Sequence, residues 1–382
     1  MSKSLLIVAG ESSGELYGSL LAAEIRKAHP DVKLFGAGGE RMREQGVEIV
    51  REISGAFGLT ELLAHLKDLK QTFRELIAKT AQMRPQAAVL IDFPDFNFKI
   101  AAQLKKMGIP VLYYVSPQLW AWRAGRIKKI KRLADFMAFI LPFEEEIYRK
   151  AGMPHEFVGH PVLDEISMMR GEQPDKNSFL SGLGLDAKRP LLAMLPGSRP
   201  SELKKHLPLF IDLLGMFKRE FPEWQFFVPL APNLKTEQFK GDFIALRELG
   251  AVIKKESALS VLLASGAAVI ASGTATLQGA LLEKPFTVIY KVSPVTFYIA
   301  KALVKVKYAS LVNILSGGQV VKEYLQKDAR PDKIMAELRE MIKNPEYRTG
   351  MLSRFKEIKA VFEGKSASKR VSEIVCRMAG WE

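Results

Sequence analysis

Short apolar runs alternate with amphipathic stretches along almost the whole chain, and this alternation constrains the fold more than any other feature. Strands are predicted at buried-type runs such as Leu5–Val8, Ala87–Ile91 and Ala267–Ala271. Helical spacing of apolar residues follows them, as in Leu16–Ala28. Because crossover helices join parallel strands, the pattern predicts an α/β protein with doubly wound parallel sheets.

The alternation is interrupted once, by a polar stretch at residues 170–190, and it starts afresh at Leu191. A chain of 382 residues is too long for one ordinary core. We therefore expect two doubly wound domains, at residues 1–165 and 166–345, and a helical tail at 346–382 that returns to the first domain. Ligands of such sheets bind beyond the carboxyl ends of the strands, so facing domains would hold their ligand in the cleft between them.

Composition narrows the classes of partner and site. The net charge of +14 favours anionic partners, namely nucleic acid, anionic lipid headgroups or phosphorylated substrates. Cys376 is the only cysteine, which fits a reducing cytoplasm, and the five histidines lack ligand spacing, so no metal site is predicted. The uncharged stretch Ser257–Leu282 contains many Ser, Thr and Gly residues, and we expect a strand and two helices there rather than a transmembrane helix.

Two strand–turn–helix segments in the second half are equipped for anions. In L-P-G-S-R-P-S-E-L (195–203), the turn would expose unpaired N–H groups beside a helix start, and Arg199 adds a planar charged fork. In A-S-G-T-A-T-L-Q (271–278), Gly273 and Thr274 offer a second cradle, and Gln278 could bind ribose hydroxyls one turn later. The alternative for each segment is an ordinary turn.

Asp92 ends a predicted strand in I-D-F-P-D-F-N (91–97), where a carboxylate is placed for general-base work. Capping or loop bonding is the alternative role for Asp92. Asp95 is a second candidate base, although it or Asn97 would more plausibly cap the predicted helix Phe98–Lys106.

The segment G-E-S-S-G (10–14) follows the first strand and matches the nucleophile elbow of serine hydrolases. Ser12 would then need His155, His160 or His206 as its base. The alternative is a loop of small residues that lets a ligand approach the backbone.

An apolar helical stripe spans 59–77 and is flanked by basic residues. It predicts a helix packed on a core or, alternatively, a helix on a membrane surface. Farther along, Trp120–Arg123 precedes a basic run, which suits an anionic lipid interface or single-stranded nucleic acid if it is not simply a solvated face. The basic residues are Arg126, Lys128, Lys129, Lys131 and Arg132.

Eight separated motifs agree with one family. They are A-G-E-S-S-G-E (9–15), I-D-F-P-D-F-N (91–97), Y-V-S-P-Q-L-W-A-W-R (114–123), L-P-F-E (141–144), F-V-G-H-P (157–161), L-P-G-S-R-P-S-E (195–202), A-S-G-T-A-T-L (271–277) and S-L-V-N-I-L (310–315). Over nearly its full length the chain resembles the lipid-A-disaccharide synthases, two-domain glycosyltransferases of the GT-B fold.

The resemblance implies an inverting transfer, with no cofactor and no metal, from UDP-2,3-diacylglucosamine to 2,3-diacylglucosamine 1-phosphate. It implies Asp92 as the base, Arg199 as the group that stabilises departing UDP, and Ser12, Ser13 and Gly14 as a phosphate or acceptor loop. The implied donor-binding residues are Gly197, Ser198, Arg199, Glu202, Gly273, Thr274, Thr276, Gln278 and Asn313.

The resemblance also implies a cytoplasmic enzyme held peripherally on the inner membrane of a Gram-negative cell. The membrane contact would be made by Leu59, Leu62, Leu63, Leu66, Leu69 and Phe73. Two positions depart from the family pattern: Gln278 stands where related glycosyltransferases carry glutamate, and Glu15 stands where the first motif often ends in aspartate.

Three other classes stay open on the sequence. They are a nucleotide-sugar epimerase of the same fold, a serine hydrolase that depends on Ser12, and a basic nucleic-acid-binding protein, although we expect no nucleic-acid partner. The oligomeric state is left open.

Overall fold

The computed structural model describes residues 3–53, 62–117, 119, 124–172, 175–231, 234, 236–293 and 307–381. The chain divides into two compact units, the first formed by Met1–Glu165 with Gly364–Glu382, the second by Ile166–Glu363. The predicted boundary after residue 165 coincides with this division, whereas the returning segment begins at 364 and not at the predicted 346.

The first unit contains a seven-stranded sheet in which all neighbouring strands are parallel. Its spatial order is β3-β2-β1-β4-β5-β6-β7, so the order reverses between β1 and β4 and makes a topological switch point there. The strands are β1 (Ser4–Ala9), β2 (Lys33–Gly38), β3 (Val47–Glu52), β4 (Ala87–Ile91), β5 (Val111–Tyr114), β6 (Phe136–Phe139) and β7 (His155–Phe157).

Helices cover both faces of this sheet, which is why β4 is apolar along its whole length, β1 is apolar after Ser4, and both strands are buried. The helices are α1 (Ser12–Ala28), α2 (Glu40–Glu44), α3 (Leu62–Met83), α4 (Pro94–Lys106), α5 (Ile127–Leu133), α6 (Glu145–Ala151) and α7 (Pro161–Glu172), which continues into the second unit.

The second unit contains a six-stranded parallel sheet in the order β10-β9-β8-β11-β12-β13, with its switch point between β8 and β11. Its strands are β8 (Leu191–Leu195), β9 (Gln225–Leu230), β10 (Ala251–Lys255), β11 (Ala267–Ala271), β12 (Phe286–Tyr290) and β13 (Glu323–Leu325). Its helices are α8 (Lys176–Gly182), α9 (Pro200–Glu220), α10 (Lys240–Glu248), α11 (Ala258–Ala264), α12 (Thr274–Leu281), α13 (Leu311–Leu315), α14 (Pro331–Lys343) and α15 (Pro345–Ala360).

The last helix, α16 (Ala367–Met378), belongs to the first unit, where the Arg370 guanidinium pairs with the Glu156 carboxylate at 2.6 Å. The doubly wound α/β prediction is confirmed. The uncharged stretch 257–282 forms α11, β11 and α12, and none of the helices described here has the length and apolarity needed to cross a bilayer.

Candidate functional site

Each candidate motif follows one of the strands that flank a switch point. In the first unit, the G-E-S-S-G segment follows β1 and Asp92 follows β4, and Ala9 is the register partner of Ile91. In the second unit, the P-G-S-R segment follows β8 and the S-G-T segment follows β11, which are also neighbours. Both sheets therefore present their candidate residues at the edge where ligands of such sheets bind.

Asp92 and Phe93 both have left-handed backbone conformations, each with φ of 46°. A non-glycine residue in this region costs about 1–3 kcal/mol and persists only where its surroundings hold it. Here the Asp92 carbonyl accepts hydrogen bonds from Asn97 Nδ2 at 2.8 Å and from the Tyr113 hydroxyl at 2.7 Å. The backbone that carries the Asp92 carboxylate is thus fixed by buried side chains from α4 and β5.

The capping predicted for Asp95 and Asn97 is wrong, because α4 begins at Pro94 and its N-cap residue is Phe93. Asn97 is fully buried and uses its amide nitrogen to hold the end of β4. The Asp95 carboxylate is largely exposed and forms an ion pair with Arg126 at 2.7 Å.

Gly10 allows the two motifs of the first unit to touch. A Cβ atom placed on Gly10 would lie 2.2 Å from Cγ of the Phe93 ring, far inside van der Waals contact. The small residue after β1 therefore lets the ring of Phe93 approach the backbone, where the sequence predicts, as one alternative, the approach of a ligand.

The rest of the G-E-S-S-G segment opens α1. Ser13 is exposed and Gly14 is buried, whereas the side chain of Ser12 lies outside the described part of the chain. Glu15 turns to α2, where its Oε1 accepts a hydrogen bond from the Arg41 N–H at 3.0 Å. Glu15 therefore organises a neighbouring helix start.

The turn after β8 corrects one expectation. Glu202 is buried, and its Oε2 accepts hydrogen bonds from the N–H groups of Ser198 at 3.0 Å and Arg199 at 3.2 Å. The prediction that these N–H groups are unpaired is therefore wrong. Gly197, with φ of 104°, leaves the space that the Glu202 carboxylate occupies. A glutamate three residues after the N-cap position, here Arg199, is one half of the capping-box pattern, and this signal was available in the sequence.

The Arg199 side chain remains accessible. About half of its surface, 52%, is exposed, and its Nη1 lies 3.9 Å from Glu202 Oε1. It stands at the N-cap of α9, where the helix dipole also favours an anion.

His206 connects this turn to the end of β12. The sequence had suggested only one role for this residue, as a base for Ser12. Its Nε2 accepts from the Lys291 N–H at 2.9 Å, so Nδ1 carries the proton that is donated to the Pro196 carbonyl at 2.7 Å. Burial lowers the pKa of His206, which keeps the imidazole neutral in this arrangement.

The turn after β11 divides its residues between surface and interior. Gly273 is exposed and Thr274 is partly exposed at the start of α12. Thr276 is fully buried and its hydroxyl donates to the Gly273 carbonyl at 2.8 Å, whereas Gln278 keeps only 8% of its surface. Gly273 and Thr274 are therefore accessible to a ligand, whereas Thr276 is not.

Asn313 is also fully buried, and every hydrogen-bonding position of its amide is used. Its nitrogen donates to the Val321 carbonyl and to Glu323 Oε1, and its oxygen accepts from the N–H groups of Val320 and Val321. The Glu323 carboxylate also accepts from the Ser310 N–H and hydroxyl. Asn313 therefore shapes the segment around it, and Glu323, which the sequence analysis missed, anchors that segment.

The histidines do not favour the hydrolase. His155 Nδ1 contacts the Met153 carbonyl, His160 Nδ1 accepts from the Val162 N–H, and both His206 nitrogens bind main-chain atoms. Burial lowers the pKa of His160 to about 3, which makes it a poor base near neutral pH. Among the residues that the structure describes, no group of three or more His, Cys, Asp and Glu side chains could hold a metal ion.

The predicted membrane stripe is described only in part. Leu59 and the segment 120–123 lie outside the described residues, as do the side chains of Leu62, Leu63 and Leu66 on α3. Leu69 and Phe73 are partly buried and pack against the core of the first unit. In the basic run, Lys129 lies over the Phe98 ring at 5.0 Å.

Known proteins resemble this chain along its whole length. The model of the lipid-A-disaccharide synthetase family matches residues 5–375. The lipid-A-disaccharide synthase of Anaeromyxobacter dehalogenans is 40% identical over 98% of this chain and 97% of its own length, and that of Myxococcus xanthus is 39% identical over the same shares.

A solved structure of UDP-GlcNAc 2-epimerase from Neisseria meningitidis, bound to UDP-GlcNAc, superposes with a TM-score of 0.68. The superposition covers 98% of this chain and 100% of the epimerase chain, and the two sequences are 13% identical. At this identity the similarity shows a shared fold and nothing more. The fold is accordingly of the GT-B type, as the sequence predicted, and the chain belongs to the lipid-A-disaccharide synthetase family.

Proposed function

We propose that the protein transfers the sugar of UDP-2,3-diacylglucosamine to the 6-hydroxyl of 2,3-diacylglucosamine 1-phosphate, in lipid A biosynthesis. The products are a β-1,6-linked tetraacyl disaccharide 1-phosphate and UDP. Family membership supports the reaction class. The observation that carries the residue assignment is the fixed, left-handed backbone of Asp92 at the switch point of the first sheet.

In this mechanism Asp92 is the general base. Its carboxylate removes the proton from the acceptor's 6-hydroxyl while that oxygen attacks the anomeric carbon of the donor. The bond from the anomeric carbon to the diphosphate oxygen breaks on the opposite face, so the configuration inverts. The strained backbone supports this role because such outliers cluster where a side chain must be held in one position.

The second unit binds the nucleotide and receives the charge that develops on UDP. Arg199 supplies a half-exposed guanidinium at the start of α9, and Gly273 with Thr274 supplies a second accessible helix start. Ser198, Glu202 and His206 hold the first of these turns in shape.

Thr276, Gln278 and Asn313 are buried within the second unit, so we assign them to the wall of the nucleotide site. In the first unit, Ser12, Ser13 and Gly14 open α1 beside Asp92 and form the acceptor loop.

Both substrates carry acyl chains, so the enzyme works at a membrane surface. We propose peripheral association with the cytoplasmic face of the inner membrane through the apolar stripe, with Leu59, Leu62, Leu63 and Leu66 entering the lipid. The net charge of +14 favours anionic headgroups there.

The test is product analysis of the purified protein with both lipid substrates in mixed micelles. We expect mass spectrometry to detect the disaccharide 1-phosphate and UDP in equal amounts. A parallel incubation with UDP-GlcNAc tests the epimerase alternative, which the fold likeness alone raises. Appearance of the 2-epimer without disaccharide would refute the proposal.

A further inference from the structure

A cavity of about 580 Å³ lies between α3 and α4 in the first unit. Its wall is apolar and is formed by Leu69 and Phe73 of α3 and by Phe93 and Phe96 around the start of α4. This volume falls within the range of about 300–1,000 Å³ that is typical of pockets for small ligands. An apolar wall of this kind selects a hydrocarbon group.

Three cationic side chains stand at the same cavity, Lys70 and Arg74 of α3 and Lys99 of α4. All three residues are exposed, and none of them forms an ion pair with any residue that the structure describes. Among the described residues that line the cavity, the carboxylate is that of Asp95, which is paired with Arg126. The rim therefore carries an excess of positive charge that an anionic ligand would neutralise.

The cavity begins one residue from the proposed base. The Phe93 ring forms part of its wall, and the preceding residue is Asp92. Gly10 and the left-handed backbone fix where that ring lies. A ligand whose hydrocarbon part fills the cavity therefore has its polar part near the end of β4.

We propose that this cavity takes one acyl chain of the acceptor, while Lys70, Arg74 and Lys99 bind the acceptor's phosphate. The inference rests on the proposed function, in which the acceptor is the substrate that carries both an acyl chain and a free phosphomonoester. The cavity thus selects acceptors by the length of the acyl chain and places the acceptor's sugar hydroxyl at Asp92.

The assignment of an acyl chain to the cavity is tested by changing the size of the cavity at Leu69, which is only partly buried and so tolerates substitution. Disaccharide formation is measured for wild type, Leu69→Trp and Leu69→Ala with acceptors whose chains differ by two methylenes. Because each buried methylene is worth about fourfold in affinity, we expect Leu69→Trp to raise the KM of the longest acceptor about tenfold or more. Leu69→Ala shifts the preference to longer chains, and the donor KM stays unchanged in both.

Melting temperatures and vesicle flotation accompany these assays. If Leu69→Trp fails to fold, Leu69→Ala carries the test alone. An unchanged chain-length profile in the folded variants overturns the inference, and so does a shift in donor KM in place of acceptor KM. A loss of vesicle binding without a change in acceptor KM also overturns it, because the occupant is then a membrane lipid.

The assignment of the acceptor's phosphate to the three cationic side chains is tested by Lys70→Ala, Arg74→Ala and Lys99→Ala, with Lys106→Ala as control. Lys106 is an exposed cation of α4 that does not line the cavity. We expect each rim variant to lower kcat/KM about tenfold for the phosphorylated acceptor, and not for its dephosphorylated form. Lys106→Ala changes neither value.

Equal losses with both acceptors overturn the assignment of the rim. A wild-type protein that forms no disaccharide refutes the proposed function, whereas an active wild type with unaltered variants refutes only the cavity assignment.

Discussion

Replacing Gly10 by alanine tests whether the contact between the two motifs of the first unit holds the carboxylate of Asp92, the proposed base, in place. The added methyl carbon would lie 2.2 Å from Cγ and 2.3 Å from Cδ1 of the Phe93 ring. Ordinary carbon–carbon contact is about 3.5–4.0 Å, so the ring must move by about 1 Å or more. Phe93 follows Asp92 directly, and both residues are in left-handed conformations, so the shift reaches the carboxylate.

Two magnitudes follow from this displacement. Overpacking of this kind costs about 1–3 kcal/mol of folding free energy. Each kcal/mol lowers the melting temperature of a unit of this size by about 2–4 °C. A catalytic group misplaced by about 1 Å can lose about a hundredfold in rate. We therefore expect Gly10→Ala to lower kcat about a hundredfold with a modest loss of melting temperature.

The assay is disaccharide formation at saturating donor, with melting temperature and UDP affinity measured on the same preparation. Gly125→Ala is the matched control, because a Cβ atom at Gly125 would meet no described atom within 4 Å. The control should match wild type in all three measurements. A Gly10→Ala protein with wild-type kcat would refute the link between the Phe93 ring and Asp92.

Three further predictions concern the histidines and the apolar stripe. Burial lowers the pKa of His160 to about 3 and also lowers that of His206, so the unfolded chain binds more protons than the folded protein as pH falls below about 6.5. The free energy of unfolding therefore decreases in acid, by about 2 kcal/mol at pH 5 for His160 alone. Urea unfolding of wild type and His160→Gln checks this, because the variant should show a shallower dependence of stability on pH. His206→Phe removes the two hydrogen bonds by which the imidazole joins the Arg199 turn to the end of β12, so calorimetry should show weaker UDP binding. An unchanged Kd for UDP would show that the imidazole does not hold the turn in its binding conformation. Changing Leu62, Leu63 and Leu66 together to serine should reduce vesicle flotation at constant melting temperature, whereas a lower melting temperature would place these residues in the core.

The central strands could be predicted from the sequence more fully than the edge strands. β4 and β11 match their predicted bounds because central strands of a covered parallel sheet are apolar throughout. Three of the four edge strands, β3, β7 and β13, have no predicted counterpart, whereas the edge strand β10 is predicted at Val252–Ile253. An edge strand is partly exposed, as in His155–Phe157, so its residues give no apolar run.

The positions of the candidate motifs at strand ends could be predicted, but not the partners of their side chains. A strand that ends before a helix start marks Asp92 and Arg199 from local sequence alone. The bonds from Tyr113 to Asp92 and from Lys291 to His206 join residues far apart in sequence. Folding decides which of these polar groups meet, and single-sequence patterns carry no signal for it.

Turnover and UDP affinity of Asp92→Asn, measured together, test the central claim most directly. The asparagine keeps the size of the side chain and removes its ability to accept a proton. General-base catalysis by Asp92 predicts a fall in turnover of about 10²–10⁴-fold with an unchanged Kd for UDP. Near-wild-type turnover in this variant would contradict the assignment of Asp92 as the base.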